Sequence, residues 1–343
     1  MKKNKILSFF TLAILGTIVF VSACKKNIPD VRLSLADDMQ FTVKEYQPVL
    51  GRNTLYADNF SVGSSSIPLN FKIVNMRRFT GEPAPELTDF FPVQVWKTAY
   101  DGTEKSIAEI EAKRTIENHQ LFEIRQQSGQ FVMWAKANSN FVKARPDSGY
   151  VFDVEVSNSG GRKYFKDFKL RPFKERPFEP STVDASNGQN VSVGSVPNVS
   201  NIRGERTGRF LSTSSTDVVV LFNKKSDVGN SLTFKFVDTL FNPINPDKFN
   251  ATKWERIVHG FDMVKDSEKV TYKVAYPIPL AIYPTPYTIG NGAAARSTFR
   301  FERQGFGNLK ETGLLTLDYQ IFEKGDWEII FWFKTERPKF TND

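Results

Sequence analysis

The sequence predicts an all-β protein built from two β-sandwich (immunoglobulin-like) domains, the first carrying one short helix. Three observations lead there. Short runs that alternate apolar with polar residues recur along the chain, separated by Gly, Pro, Asn and Ser. Only Ser106–Gln120 reads as a helix. No repeat with a period of about 20 to 50 residues is present, which sets aside solenoids and propellers.

The chain opens with "MKKNKILSFFTLAILGTIVFVSACKKN": Lys2, Lys3 and Lys5, an uncharged apolar run from Ile6 to Val21, then small residues before Cys24. That is the layout of a secretory signal, residues 1–23, and its apolar run is short for a membrane span. Residues 24–40 read as a tether and 41–172 as the first domain. In that domain "PLNFKIVN" puts Leu69, Phe71 and Ile73 on one face. "FPVQVWK" does the same with Phe91, Val93 and Val95, leaving Trp96 opposite. Ser106 and Glu109 have capping-box spacing, and the residues up to Gln120 lack Gly and Pro, which predicts the helix.

A hairpin follows, with Tyr150, Phe152, Val154 and Val156 alternating and Ser159-Gly160-Gly161 turning the chain. Asp147-Ser148-Gly149-Tyr150 resembles the tyrosine corner of immunoglobulin-like sandwiches. The Pro-, Ser- and Asn-rich stretch 173–203 reads as a linker, and 204–343 as the second domain. There "DVVVLFN", "SLTFKFVD", "VTYKVAY" and "STFRFERQ" are strands, and "LLTLDYQIFEKGDWEIIFWFK" reads as a closing hairpin turning at Glu323–Asp326.

Val21-Ser22-Ala23-Cys24 resembles the lipobox of bacterial lipoproteins. The resemblance implies acylation of Cys24, cleavage before it, and a membrane partner reached through the lipid anchor. Two or more acyl chains hold stably, since each buried methylene contributes about 0.8 kcal/mol.

Composition narrows the chemistry. Cys24 is the one cysteine and His119 and His259 are the two histidines of 343 residues, so a zinc centre built on histidine and cysteine is not expected. The formal charge of +8 falls to +5 without the three signal lysines, a mild excess that suits anionic surfaces but not nucleic acid. No nucleophile elbow, phosphate loop or triad order is present, so no catalytic residues are assigned. The carboxylates Asp153, Glu155, Asp318 and Glu328 lie at alternating strand positions, which places them on solvent faces.

Sugars are bound largely by an exposed aromatic face with a few polar groups to fix orientation. Trp96 and Trp332 oppose the apolar face of their strands, and Tyr283 and Tyr287 sit in the proline-stiffened "YPIPLAIYPTPYTIG" after Tyr276 ends a strand. These four are the ligand-binding candidates, with packing as the competing role. Asp238, Asn242, Asn245 and Asp247 in "DTLFNPINPDKFN" are oxygen ligands of the kind Ca2+ accepts, without the spacing of an EF-hand. No other cofactor is expected.

The lipobox, tether and two β-rich domains resemble accessory lipoproteins of Bacteroidota nutrient-uptake systems that work beside a TonB-dependent (Sus-like) transporter. More narrowly, "SGYVFDVEVSNSGGRKYF", "YPIPL" and "EKGDWEIIFWF" resemble an exported Bacteroidota family of unknown function. The resemblance implies an outer-membrane, lipid-anchored protein, on the periplasmic or the surface side. The functional expectation is a non-catalytic cell-envelope protein that binds a glycan or assists an uptake complex, with a transporter or envelope protein as partner. The alternatives are a structural or assembly protein that binds others by its sheet edges, and a glycoside hydrolase. An exposed aromatic cluster, a long uncovered edge strand, or a cleft with two facing carboxylates would separate the three.

Overall fold

The computed structural model describes residues 33–343. The signal segment, Cys24 and the first part of the tether lie outside the described residues.

In the first lobe the strands are β1 (Gln40–Phe41), β2 (Glu45–Tyr46), β3 (Thr54–Tyr56), β4 (Phe60–Ser61), β5 (Asn70–Arg78), β6 (Phe90–Trp96), β7 (Arg114–Gln120), β8 (Phe122–Ile124), β9 (Phe131–Met133), β10 (Tyr150–Asn158) and β11 (Gly161–Leu170). Those of the second are β12 (Phe178–Glu179), β13 (Asn198–Ser200), β14 (Val218–Ser226), β15 (Ser231–Val237), β16 (Gly260–Lys265), β17 (Lys269–Val274), β18 (Ala295–Gln304), β19 (Lys310–Ile321) and β20 (Asp326–Phe333). The protein is all-β and sandwich-like, with helix confined to short pieces. Each lobe has its own core, one drawn from Met39 to Leu170 and the other from Ile202 to Phe333.

The first lobe is organised by β10, which lies inside a four-stranded sheet ordered β2-β11-β10-β5. Its Tyr150, Phe152, Val154 and Val156 are fully buried against β8 and β9, where Phe131 stands 5.6 Å from the Phe152 ring. The Tyr150 hydroxyl accepts from the Lys143 N–H at 2.7 Å and donates to Glu86 Oε1 at 2.9 Å, pinning the corner before the strand. Register shifts beside Asp153 leave an extra residue in each neighbouring strand, β5 and β11, and these bulges cover its side chain on the face opposite Phe152 and Val154. Its carboxylate accepts from Asn75 Nδ2 at 2.8 Å and the Asp167 N–H at 3.0 Å, so Asp153 is buried where plain alternation puts it in solvent.

The expected helix splits in two. The Ser106 hydroxyl caps Ile107–Ala112 by accepting from the Glu109 N–H at 3.1 Å, and from Arg114 onward the chain is β7, paired along all of β6. Thr115 and Ile116 are β-branched and meet Val95 and Gln94 across the ladder, a pairing that outweighs the helix propensity of the preceding residues. A second helical turn, Pro85–Thr88, was not expected.

In the second lobe a five-stranded sheet, β14-β20-β15-β17-β16, faces β19 with β18 on one edge and β12 and β13 along the other. Trp327, Ile329, Phe331 and Phe333 point from β20 into the core, and Phe331 packs against Phe236 and Phe299 at 5.5 and 5.2 Å. β19 and β20 belong to opposite sheets, which corrects the expected hairpin. β20 is antiparallel to β14 and parallel to β15. The corner is held by Trp327 Nε1, which donates to the Glu323 carbonyl at 3.0 Å, and by Asp326, which accepts from the Ser231 N–H and hydroxyl at 3.1 and 2.7 Å.

Two connecting segments are more ordered than their composition suggests. Within 173–203, β12 and β13 pair with β19, so most of the expected linker belongs to the second lobe. Of the expected tether, residues 33–39 lie against the first lobe: the Ala36 N–H donates to Ser65 Oγ at 2.9 Å, and Asp38 accepts from the Ser64 hydroxyl at 2.7 Å.

Candidate functional site

The lobes meet where Tyr100 and Ile110 of the first pack with Ala275 and Leu280 of the second, flanked by Trp96 and Ala281. The proline-rich stretch that begins at Tyr276 forms the second lobe's side of this contact. Tyr276 itself is core, its hydroxyl donating to the Ser231 carbonyl at 3.1 Å. Arg114 reaches over from β7, donates to the Tyr276 carbonyl at 2.9 Å, and lays its guanidinium 4.4 Å from the Trp96 ring centre. Trp96 is therefore committed to packing between the lobes.

His259 is the polar centre of the contact. Its Nε2 lies 2.8 Å from the Glu104 carbonyl, which can only accept, so Nε2 carries the hydrogen and Nδ1 accepts from the Tyr100 hydroxyl at 2.6 Å. Burial drives the Tyr100 phenol well above its ordinary value, keeping it a donor. Burial alone would raise the Glu104 carboxyl, but the hydrogen bond from Lys113 at 2.5 Å, backbone N–H donors and the Lys113 charge together outweigh it and hold the carboxyl below its ordinary value. Gly102 sits at φ +81°, and a Cβ there would stand 2.7 Å from the Thr285 side chain, so the approach of the two segments requires glycine.

Beyond this bolt the loop turns outward. Tyr287 stacks on His259, half-buried, with a small cavity of about 20 Å³ among Tyr100, His259, Leu280, Thr285 and Tyr287. Tyr283 keeps 46% of its surface exposed. Its backbone is fixed nonetheless: its N–H donates to the Ala281 carbonyl at 2.9 Å, and Gly292 lies so close that a Cβ there would stand 2.4 Å from Tyr283 backbone atoms. An exposed ring on a rigid loop, closed internally by the hydroxyls of Thr285 and Thr288, can take the face of a planar or sugar ring.

Trp332 is elsewhere, on the outer face of β20, with the Phe241 ring 4.7 Å away and tilted by 34°, and with its buried Nε1 lacking a hydrogen-bond partner. The structure separates it from Tyr283 and Tyr287, so the four aromatic candidates do not form one surface. The four oxygen-ligand candidates also divide. Asp238 accepts from the Leu240 and Asn242 N–H groups at 2.9 and 3.0 Å, while Asn245 caps the turn at Pro246 through the Asp247 N–H. Asp247 pairs with Lys265 at 2.5 Å. These oxygens close two Asx-type turns, the use that competes with calcium binding. Among the described residues no group of three or more His, Cys, Asp and Glu gathers as for a metal ion.

The strand carboxylates are individually partnered: Glu155 with Arg162, Asp318 with Arg296 and Glu328 with Lys235 at 3.7, 2.6 and 2.6 Å. Two sheet edges of the second lobe are covered or broken. Asn250 and Thr252 bond the outer edge of β18 with their side chains, and β16 is interrupted between Phe261 and Val264, with Asp262 at φ 48°. Sequence reasoning missed Tyr100 and His259 as the interlobe bolt. Nothing local marks them, because the two meet across the chain.

An all-β, two-lobed protein with an aromatic loop at the lobe junction is the class that fold and site define. The chain belongs to the family described as Domain of unknown function (DUF5007), which matches residues 60–342. No curated protein and no solved structure matches it.

Proposed function

We propose that the chain is a lipid-anchored, non-catalytic protein of the outer membrane that holds a glycan beside an uptake complex. The observation that carries this reading is Tyr283: an aromatic face 46% exposed on a loop already fixed in shape, so that little conformational entropy is lost on binding. The broken edge of β16 and the covered edge of β18 weigh against assembly through strand addition. The apolar N-terminal run and the Val21–Cys24 junction support the anchor.

A glycan array on the chain starting at Lys25 tests the reading. Saturable binding that is lost in Tyr283→Ala is the expected result, whereas no glycan but a co-purifying envelope protein overturns it. For the anchor, incorporation of labelled palmitate is expected in the full chain and absent in Cys24→Ala.

A further inference from the structure

A second surface adjoins the aromatic loop and differs from it in character. Pro286 and Thr288 continue from Tyr287 into an open groove of about 280 Å³, whose other walls are the turn around Trp254–Arg256 and the outer face of β18. Lys253, Arg256, Arg296 and Arg300 line it. Arg296 is held by both oxygens of Asp318, each at 2.6 Å. The other three cations have no carboxylate within ion-pair distance among the described residues, and Glu255 on the same turn is not part of the lining.

The groove also contains unused backbone. The Arg296 N–H donates to the Tyr287 carbonyl at 2.9 Å, and the Arg300 N–H to Thr252 Oγ1 at 2.7 Å, so both point to the outer edge of β18. By the alternation of an antiparallel ladder Thr298, midway between them, turns its N–H and C=O to that same edge. No group among the described residues bonds to either. The cover over β18 thus has a gap one residue wide, and three unpaired cations surround it.

The geometry points to this groove as the subsite for the carboxylate or sulfate groups of an acidic saccharide, rings of which continue onto the Tyr283–Tyr287 loop. Planar guanidinium groups give paired, charge-assisted hydrogen bonds to such oxygens, and the free N–H and C=O of Thr298 suit sugar hydroxyls. The subsite rests on the glycan-binding reading above and gives it a substrate class.

The test uses isothermal titration of the chain from Lys25 with an oligogalacturonide, a sulfated oligosaccharide, a neutral gluco-oligosaccharide and vesicles of anionic phospholipid. Expected is binding of an acidic oligosaccharide that weakens with salt and falls by about tenfold or more in Arg256→Ala and in Arg300→Ala, as for loss of one charge-assisted contact. Unchanged melting curves are expected for both variants, because the side chains line an open surface. Acidic saccharide bound equally well by both variants overturns the groove as its site. Neutral saccharide bound in preference overturns the acidic class and leaves the glycan-binding reading standing. Vesicles bound and no saccharide overturns both.

Discussion

His259 and Tyr287 lie face to face, their ring centres 4.8 Å apart and their planes within 1° of parallel. The same imidazole is hydrogen-bonded on both nitrogens to the first lobe, so one residue couples the outward loop to the interlobe contact. His259→Ala is expected to cost about 1–2 kcal/mol and to broaden or split the calorimetric unfolding transition as the lobes uncouple. Tyr100→Phe, which removes one hydrogen bond and little volume, is expected to cost about 1 kcal/mol. An unchanged single transition in both variants would show that the lobes do not depend on this bolt.

Asp217 is the most heavily bonded carboxylate of the second lobe. Its oxygens accept from Arg209 at 2.8 and 2.9 Å, from Thr335 Oγ1 at 2.7 Å and from the Ser212 N–H at 2.9 Å. The Arg209 hydrogen bonds are the main cause that holds its carboxyl far below the ordinary 3.8, against the opposing effect of burial. The stabilisation is therefore complete above the ordinary value and is lost as pH falls below it. Asp217→Asn is expected to lose about 2 kcal/mol at neutral pH and to flatten the acid limb of the stability curve, read by urea melts from pH 7 downward.

His119 behaves in the opposite sense. Burial disfavours its charged form, but hydrogen bonds to Glu123 and Glu117, at 3.0 and 3.2 Å, outweigh burial and raise its pKa above 6.5. Its contribution is full below the unfolded value and disappears as pH rises through the folded one. The Trp134 ring lies 4.8 Å away, so tryptophan emission should follow the titration. A proton NMR midpoint for His119 at or below 6.5 would contradict the arrangement, and His119→Gln should abolish the emission change.

Trp332 and Tyr283 should part company when substituted. Trp332→Ala removes a half-buried ring packed on Phe241 and is expected to lower stability by about 1–3 kcal/mol while leaving saccharide affinity intact. Tyr283→Ala should abolish affinity with little change in melting temperature. The reverse pattern would move the binding surface to the outer face of β20.

Much of the strand pattern could be read in the residues themselves. Period-two runs such as Tyr150–Val156 and Trp327–Phe333 are buried as alternation demands, because a sheet with one face in a core leaves no other register open. What alternation cannot carry is which strand lies beside which. Glu323–Asp326 has the composition of a tight turn, and the bonds that Ser231, far away in sequence, donates to Asp326 help make it a corner between sheets.

The same limit holds at the site. The prolines around Tyr283 and Tyr287 announce a stiff loop, and the structure keeps one of these rings exposed and stacks the other. Asp153 shows how an inserted residue in a neighbouring strand defeats a pattern: the bulges in β5 and β11 bring Asn75 and Asp167 over a carboxylate that alternation leaves in solvent. Asp238 and Asn245 show that side chains fit for calcium serve equally well to close turns, and sequence spacing alone cannot distinguish the two uses.

The position of β20 sets an order of assembly. Its ladder joins Val218–Ser226 on one side and Ser231–Val237 on the other, so these two strands, neighbours in sequence, have no sheet between them until the last strand arrives. A chain complete only up to Gly325 has β14 and β15 each with one edge unpaired. Such long-range closure is slow and leaves edges open to other chains. The second lobe thus closes this sheet only once Asp326–Phe333 is in place, and a chain cut short before β20 is expected to present the facing edges of β14 and β15 to other chains.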